Sequence, residues 1–264
     1  MTFLKGDQMN FRKRLIKSIR GRVFGRNYSG RDGFYSQDGQ DIFLTEELFK
    51  GKEHGVFVDI GAHDGITFSN TCYLEKNLGW NGFCFEPNPD VFQRLIKNRT
   101  CQCLSYAIAD FAGNAEFMKI DGHSQMLSGL IDKYNSAHLA RIEEELREHG
   151  GQKKEIGIVC ARLDEILNEY GIQDIDYLSI DTEGAEFDIL RTIDFEKRLY
   201  RVVSIENNYD DNRIAKYMKS RNFRLKAILK GDEFYMNKNF SSSDAHESFE
   251  ATDHCSCASA AQGN

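Results

Sequence analysis

Between residues 36 and 240 the apolar positions switch repeatedly between two spacings. Short, mostly apolar runs at 55–60, 82–86, 103–108, 156–161, 177–181 and 201–206 suit strands buried on both faces. The stretches between them at 40–49, 67–78, 89–97, 163–170, 186–192 and 213–221 carry helical periodicity. Gly51 and Gly79 close two of these, and Pro89 opens a third. Strands that alternate with helices predict a doubly wound α/β fold, a mainly parallel sheet with helices on both faces. Residues 114–120 read as one more strand. Residues 223–228 and 233–237, turned by Lys-Gly-Asp, read as an antiparallel hairpin at an edge of the sheet.

Three segments leave this rhythm. Residues 121–154 open on Gly122-His-Ser-Gln-Met-Leu-Ser-Gly129 and continue into a charged helix over 137–149. An insertion of that length predicts a lid or a segment that contacts substrate. Residues 1–35 form a basic arm in which Phe11, Leu15, Ile19 and Val23 recur every fourth position among Lys and Arg. Such a stripe fits peripheral contact with an anionic membrane, or a solvated helix interrupted by Gly21 and Gly25. Residues 241–264 are Ser-, Ala- and acid-rich and predict a disordered tail.

Composition narrows the function classes. With 41% hydrophobic residues the chain has material for a real core, and no run approaches the roughly 18 apolar residues of a spanning helix. Of the 34 Lys and Arg, nine lie within residues 1–31 beside one acid, Asp7, which leaves 25 basic against 40 acidic groups in the rest. That acidic body repels polyphosphate, so no nucleic-acid partner is expected. Seven cysteines give no disulfide framework; Cys72, Cys84 and Cys160 read as small core residues. Cys101-Gln-Cys103 and Cys255-Ser-Cys257 are closer together than typical zinc ligands, and no residue is assigned to a metal. No apolar leader follows Met1, which makes the expected location cytoplasmic, with the arm as a route to a membrane surface.

The candidate chemistry gathers at the carboxyl ends of the predicted strands, where open α/β sheets bind ligands. The first strand ends Asp59-Ile-Gly61-Ala62-His63-Asp-Gly65, with the glycines spaced G-x-x-x-G and not as a dinucleotide loop. A nicotinamide oxidoreductase is thereby disfavoured. Asp59 suits a ligand with an ammonium or sulfonium group. Glu86, before Pro87, is placed to accept from both ribose hydroxyls, and Asp110, after Ala109, to accept from an adenine amino group. A phosphate-free adenosine with a cationic amino-acid end describes S-adenosylmethionine.

These residues resemble class I methyltransferases. More narrowly, Ser36-Gln-Asp-Gly-Gln-Asp-Ile-Phe-Leu44, Phe57 to Gly65, Phe85-Glu-Pro-Asn-Pro89, Leu178-Ser-Ile-Asp-Thr-Glu-Gly-Ala-Glu186 and Ser204-Ile-Glu-Asn-Asn208 are similar to the FkbM family. The resemblance implies a Rossmann-like, seven-stranded sheet and transfer of a methyl group from S-adenosylmethionine, commonly to a hydroxyl of a sugar, glycan or secondary metabolite. It also implies a cofactor pocket lined by Asp59, Gly61, Glu86 and Asp110. Ser179 stands where many relatives carry lysine, and His63 where asparagine is frequent, so neither supports a transferred role. Asp181 is the first candidate for contact with the acceptor or the methionine portion, with Glu183, Glu186, His63 and His123 as further acceptor-side groups. Asp181, Glu183 and Glu206 together offer a lesser alternative, a divalent cation that acidifies the hydroxyl. A non-catalytic adenosylmethionine-binding protein would not need these acids.

Overall fold

The structure, a computed structural model, describes residues 31–240. The expected tail and all but the last positions of the basic arm lie outside the described residues. Within them the chain forms α1 (Gln40–Phe43), which continues into a π-helical turn over Leu44–Leu48, then β1 (Val56–Ile60), α2 (Cys72–Leu78), β2 (Asn81–Phe85), α3 (Pro89–Asn98) and β3 (Gln102–Leu104). Next come β4 (Ala107–Ile108), β5 (Gly113–Ile120), β6 (Gly129–Leu130), α4 (Ser136–His149) and β7 (Lys153–Ala161). The chain closes with α5 (Leu163–Glu169), β8 (Asp174–Ile180), α6 (Glu186–Thr192), β9 (Leu199–Glu206), α7 (Asn212–Ser220), β10 (Phe223–Leu229) and β11 (Asp232–Asn237).

Seven strands form the main sheet in the order β10-β11-β9-β8-β1-β2-β3. The five from β3 to β9 run parallel, and β11 is antiparallel to both of its neighbours. The hairpin therefore inserts its second strand beside β9 and leaves β10 at the edge. Alternate residues of each central strand go to opposite faces, and both faces are buried. Val58, Ile60, Leu178, Ile180, Val203 and Ile205 pack with Leu163 of α5, Ile189 of α6 and Ile214 of α7. On the other side Phe57, Cys84, Tyr177 and Val202 pack with Phe43 of α1, Leu74 of α2 and Leu95 of α3.

Two predicted elements are corrected. The run at 103–108 is two strands in different sheets, because the chain leaves β2 after Leu104 and β4 pairs with β7. The helix expected over 67–78 begins only at Cys72. Asp64 binds the amides of Ile66 and Thr67 and the Thr67 hydroxyl, an arrangement that offers the backbone a turn in place of a helix.

β5 and β7 pair along eight positions, from Gly113 with Cys160 to Ile120 with Lys153, and with β4 and β6 they form a separate four-stranded sheet. The 121–154 segment is the far end of this ribbon. Its helix α4 starts where the Asn135 side chain caps the His138 amide at 2.9 Å and packs through Ile142 on Ile120 and Leu127. Among the described residues no helix is long and apolar enough to cross a membrane.

Candidate functional site

A cavity of about 760 Å³ opens beyond the carboxyl ends of β1, β2, β8 and β9, a volume within the range of small-molecule sites. It sits where the strand order reverses: β1 leads outward to β2 and β3, and the chain then crosses to β8 on the other side of β1. The antiparallel direction of β11 brings its first residue, Asp232, to the same end.

The turn after β1 is held to both neighbours. Gly61 and Ala62 donate to the carbonyl of Phe85, each at 3.0 Å, and the Asp181 amide donates to Ile60 at 3.0 Å. Gly61 adopts a left-handed φ of 88°, and a Cβ there would lie far inside contact distance of the Asp181 carbonyl oxygen. Only glycine lets β1 and β8 end this close together.

Glu86 follows β2 and is buried. One carboxylate oxygen accepts from the His63 amide at 3.1 Å and the other from the Asn88 amide at 2.7 Å, which leaves each oxygen a second lone pair. Burial raises its pKa to about 7, against the pull of those two amides. The cap of α3 is Asn88, whose side chain accepts from Asp90 at 3.2 Å, so Glu86 is not needed for that role.

Asp59 also lines the cavity, but its carboxylate already accepts from the Thr71 hydroxyl at 2.6 Å. Burial raises its pKa, against the Thr71 bond and the Arg99 charge. Thr71 is in turn bonded by Arg99, whose guanidinium is buried and paired with Glu75 at 2.6 Å. Asp59 is thus the inner end of a polar chain that fixes the 62–71 loop.

Across the cavity Asp181, Glu183 and Glu206 place carboxylate oxygens within 4.8 Å of one another, a spacing able to hold a cation. Asp181 projects into the open space and is the most accessible of the three. Desolvation by the cavity walls, and then the charges of Glu206 and Asp232, raise its pKa, although the carboxylate still reaches solvent, which screens the shift. Burial and Asp181 push Glu183 to about 8, and burial with Asp38 brings Asp232 to about 6 despite its bond from Gln40 at 2.7 Å. Glu183 therefore keeps its proton near neutral pH, and its neighbours are shifted in the same direction.

Of the residues singled out from the sequence, Asp59, Gly61, Ala62, His63, Glu86, Pro87, His123, Asp181, Glu183 and Glu206 line one cavity. Gly65, Ala109, Asp110 and Glu186 do not. Gly65 packs on Leu95 and Arg99 with a left-handed φ of 79°. The amide of Ala109 is paired to β7 through Ala161, and Asp110 faces the other way, bound by Lys133 at 3.0 Å together with Asp188. Glu186 turns back on the loop before its helix, where one carboxylate oxygen takes the Thr182 amide and hydroxyl and the Gly184 amide, all at 2.9–3.0 Å. It braces the 182–184 turn and lies outside the cavity lining. His63 is half-buried, its Nδ1 lies 3.6 Å from the Asp64 carboxylate, and desolvation lowers its pKa against the pull of Asp64.

Sequence reasoning missed His138. It lies on α4, with Nδ1 2.9 Å from the Tyr209 hydroxyl and 3.4 Å from the Glu183 carboxylate. The signal was its spacing: Ile142, four residues on, marks the buried face of an otherwise charged helix. Gln40 and Asp232 were passed over because one stood in a helix and the other in a hairpin turn.

A family-wide sequence profile described as "Methyltransferase FkbM domain" matches residues 59–225. The chain belongs to this family. The FkbM match begins on Asp59 and ends in β10, so it takes in Glu86, Asp181 and Glu206 and leaves Gln40 and Asp232 outside. Among curated proteins, 2-O-methyltransferase NoeI of Sinorhizobium fredii (strain NBRC 101917 / NGR234) is 29% identical over 147 residues, covering 53% of this chain and 57% of NoeI. Methyltransferase sdnD of Sordaria araneosa is 27% identical over 194 residues, 62% of this chain and 73% of sdnD. A crystal structure of methyltransferase FkbM from Methylobacillus flagellatus KT overlaps 70% of this chain and 44% of its own, with a TM-score of 0.40 and 13% identity.

Proposed function

We propose that the protein transfers a methyl group from S-adenosylmethionine to a hydroxyl of a sugar, glycan or secondary metabolite. The observation that carries this reading is the division of one cavity between two kinds of wall. Near β2 and β4 it is largely apolar, with Phe85, Ala107, Ile108, Phe117 and Leu130 beside Glu86 and Tyr106; at the ends of β8, β9 and β11 it gathers Asp181, Glu206 and Asp232, with Lys230 at their edge. An adenosine fits the first wall, with Glu86 accepting from its ribose hydroxyls, and a sulfonium and ammonium fit the second. The spare lone pairs of Glu86 and the acidic character of the opposite wall make the residues suit this cofactor. The family membership and the likeness to the 2-O-methyltransferase NoeI support the reaction and its oxygen acceptor.

When bound, the cofactor supplies a methyl carbon already activated for displacement by its sulfonium. The chain has three tasks left: to align the hydroxyl, to exclude water and to take the proton. Asp181 lines the cavity within reach of Glu183 and Glu206 and is the carboxylate placed to take the proton, with a basicity raised above that of an ordinary aspartate. His138 and Arg141 hold Glu183 from the insertion side at 3.4 and 3.8 Å, so the 121–154 segment forms the acceptor wall in this account.

Incubation with methyl-labelled S-adenosylmethionine and a panel of glycans, lipids and hydroxylated metabolites tests the reading. Label is expected on an acceptor oxygen, stable to conditions that hydrolyse methyl esters. Label found only on nitrogen or carbon would overturn the acceptor class.

A further inference from the structure

We propose that His123, Glu145 and His149 form a divalent-metal site of zinc type at the rim of the cavity. The bound ion would clip the 122–124 turn to the end of α4.

Each residue offers one ligand atom, and these atoms all lie within 4.8 Å of one another. Two imidazoles and a carboxylate are a donor set that zinc uses when a fourth position stays open to water, and imidazole nitrogen also suits copper and nickel. Ligands about 2.1 Å from a tetrahedral ion stand roughly 3.4 Å apart, so closure asks only for small rotations of side chains at the surface. His149 Nε2 is 3.8 Å from the Glu145 carboxylate, and the His123 and His149 rings have centroids 4.3 Å apart.

The backbone prearranges the three. Glu145 and His149 are four residues apart on α4 and share one face. His123 comes from the opposite side of the ribbon, where Asp121 donates to the Gln152 carbonyl at 2.8 Å and so fixes the turn against the end of the helix. Ser124, next in the chain, is buried and donates to Glu145 at 3.4 Å, which orients the carboxylate. His123 and Glu145 also line the cavity, so an ion here would stiffen the wall that carries Met126 and Leu127. The site is separate from the Asp181 group and does not rest on the methyl-transfer reading.

The test is calorimetric titration of the chelator-treated full chain with Zn²⁺. One equivalent is expected to bind in the micromolar range and to raise the melting temperature. His123→Ala and His149→Ala should each weaken that event by at least about 100-fold, since loss of even an outer-shell partner costs about 10- to 100-fold. Glu145→Gln keeps an acceptor for Ser124, so the metal-free protein should melt as the parent does while zinc affinity falls. Because the chain also has cysteines, Co²⁺ is the second probe: a spectrum without a thiolate charge-transfer band is expected. A thiolate band, affinity unchanged in the His123→Ala/His149→Ala double variant, or no binding at millimolar Zn²⁺ would each overturn the assignment.

Discussion

Glu86→Gln is expected to weaken binding of S-adenosylmethionine and of its demethylated product by about 10- to 100-fold, since hydrogen bonds to a charged group contribute about 1.5–3 kcal/mol. Gln retains one acceptor oxygen but presents an NH2 group where the second stood, so one of the two backbone amides on Glu86 would also face a donor. The pH dependence is a sharper signature. Burial holds the empty-site carboxyl at about 7, and ribose hydroxyls donate best to the ionised form. Affinity should therefore rise close to tenfold from pH 6 to pH 8, with a proton released on binding, and both effects should vanish in Glu86→Gln. The effect on stability has the opposite sign. A folded-state pKa above the ordinary 4.5 means that the folded protein holds the proton longer, so this group's contribution to stability falls as pH rises from about 4.5 to 7. Calorimetry at three pH values, with melting curves alongside, reads all of these.

Asp181→Asn is expected to lower methyl transfer by about 10²–10⁴-fold, the usual weight of a general base, while cofactor binding falls only modestly. The substitution keeps volume and removes one of the charges that crowd Glu183 and Glu206. Relieved of that repulsion, the variant should melt above the parent at pH 8 and close to it at pH 5, where the acids are largely protonated in both. Loss of activity with a gain in stability distinguishes a charge kept for chemistry from one kept for packing. Transfer at the parent rate would remove Asp181 from the reaction and bring forward His63, which lines the same cavity beside Asp64.

The parts of this site legible in the sequence are those that local chemistry fixes. Short apolar runs such as 57–60 and 177–180, bounded by turn residues, suit strands buried on both faces, and a carboxylate in the last positions of such a run or just after it sits near its carboxyl end. That reasoning placed Asp59, Glu86, Asp181 and Glu206 at one end of the sheet. It failed at Asp110 because β4 had left the main sheet for the ribbon with β7, a choice made by long-range pairing and not by residues 103–108 themselves. Glu186 failed for a local reason: three donors within its own turn, from Thr182 and Gly184, capture its carboxylate before it can face the cavity. Gln40 and Asp232 reach the cavity, and His138 reaches Glu183 behind its wall, from elements distant in the chain, and no spacing within any one of those elements encodes that meeting.

A crystal structure of the full chain with S-adenosylhomocysteine tests the central claim most directly. The ribose hydroxyls should lie on Glu86, the adenine against Ala107 and Ile108, and the sulfur should face the group of Asp181, Glu183 and Glu206. A ligand that leaves Glu86 bonded only to the amides of His63 and Asn88, or that turns its sulfur away from Asp181, would contradict the account.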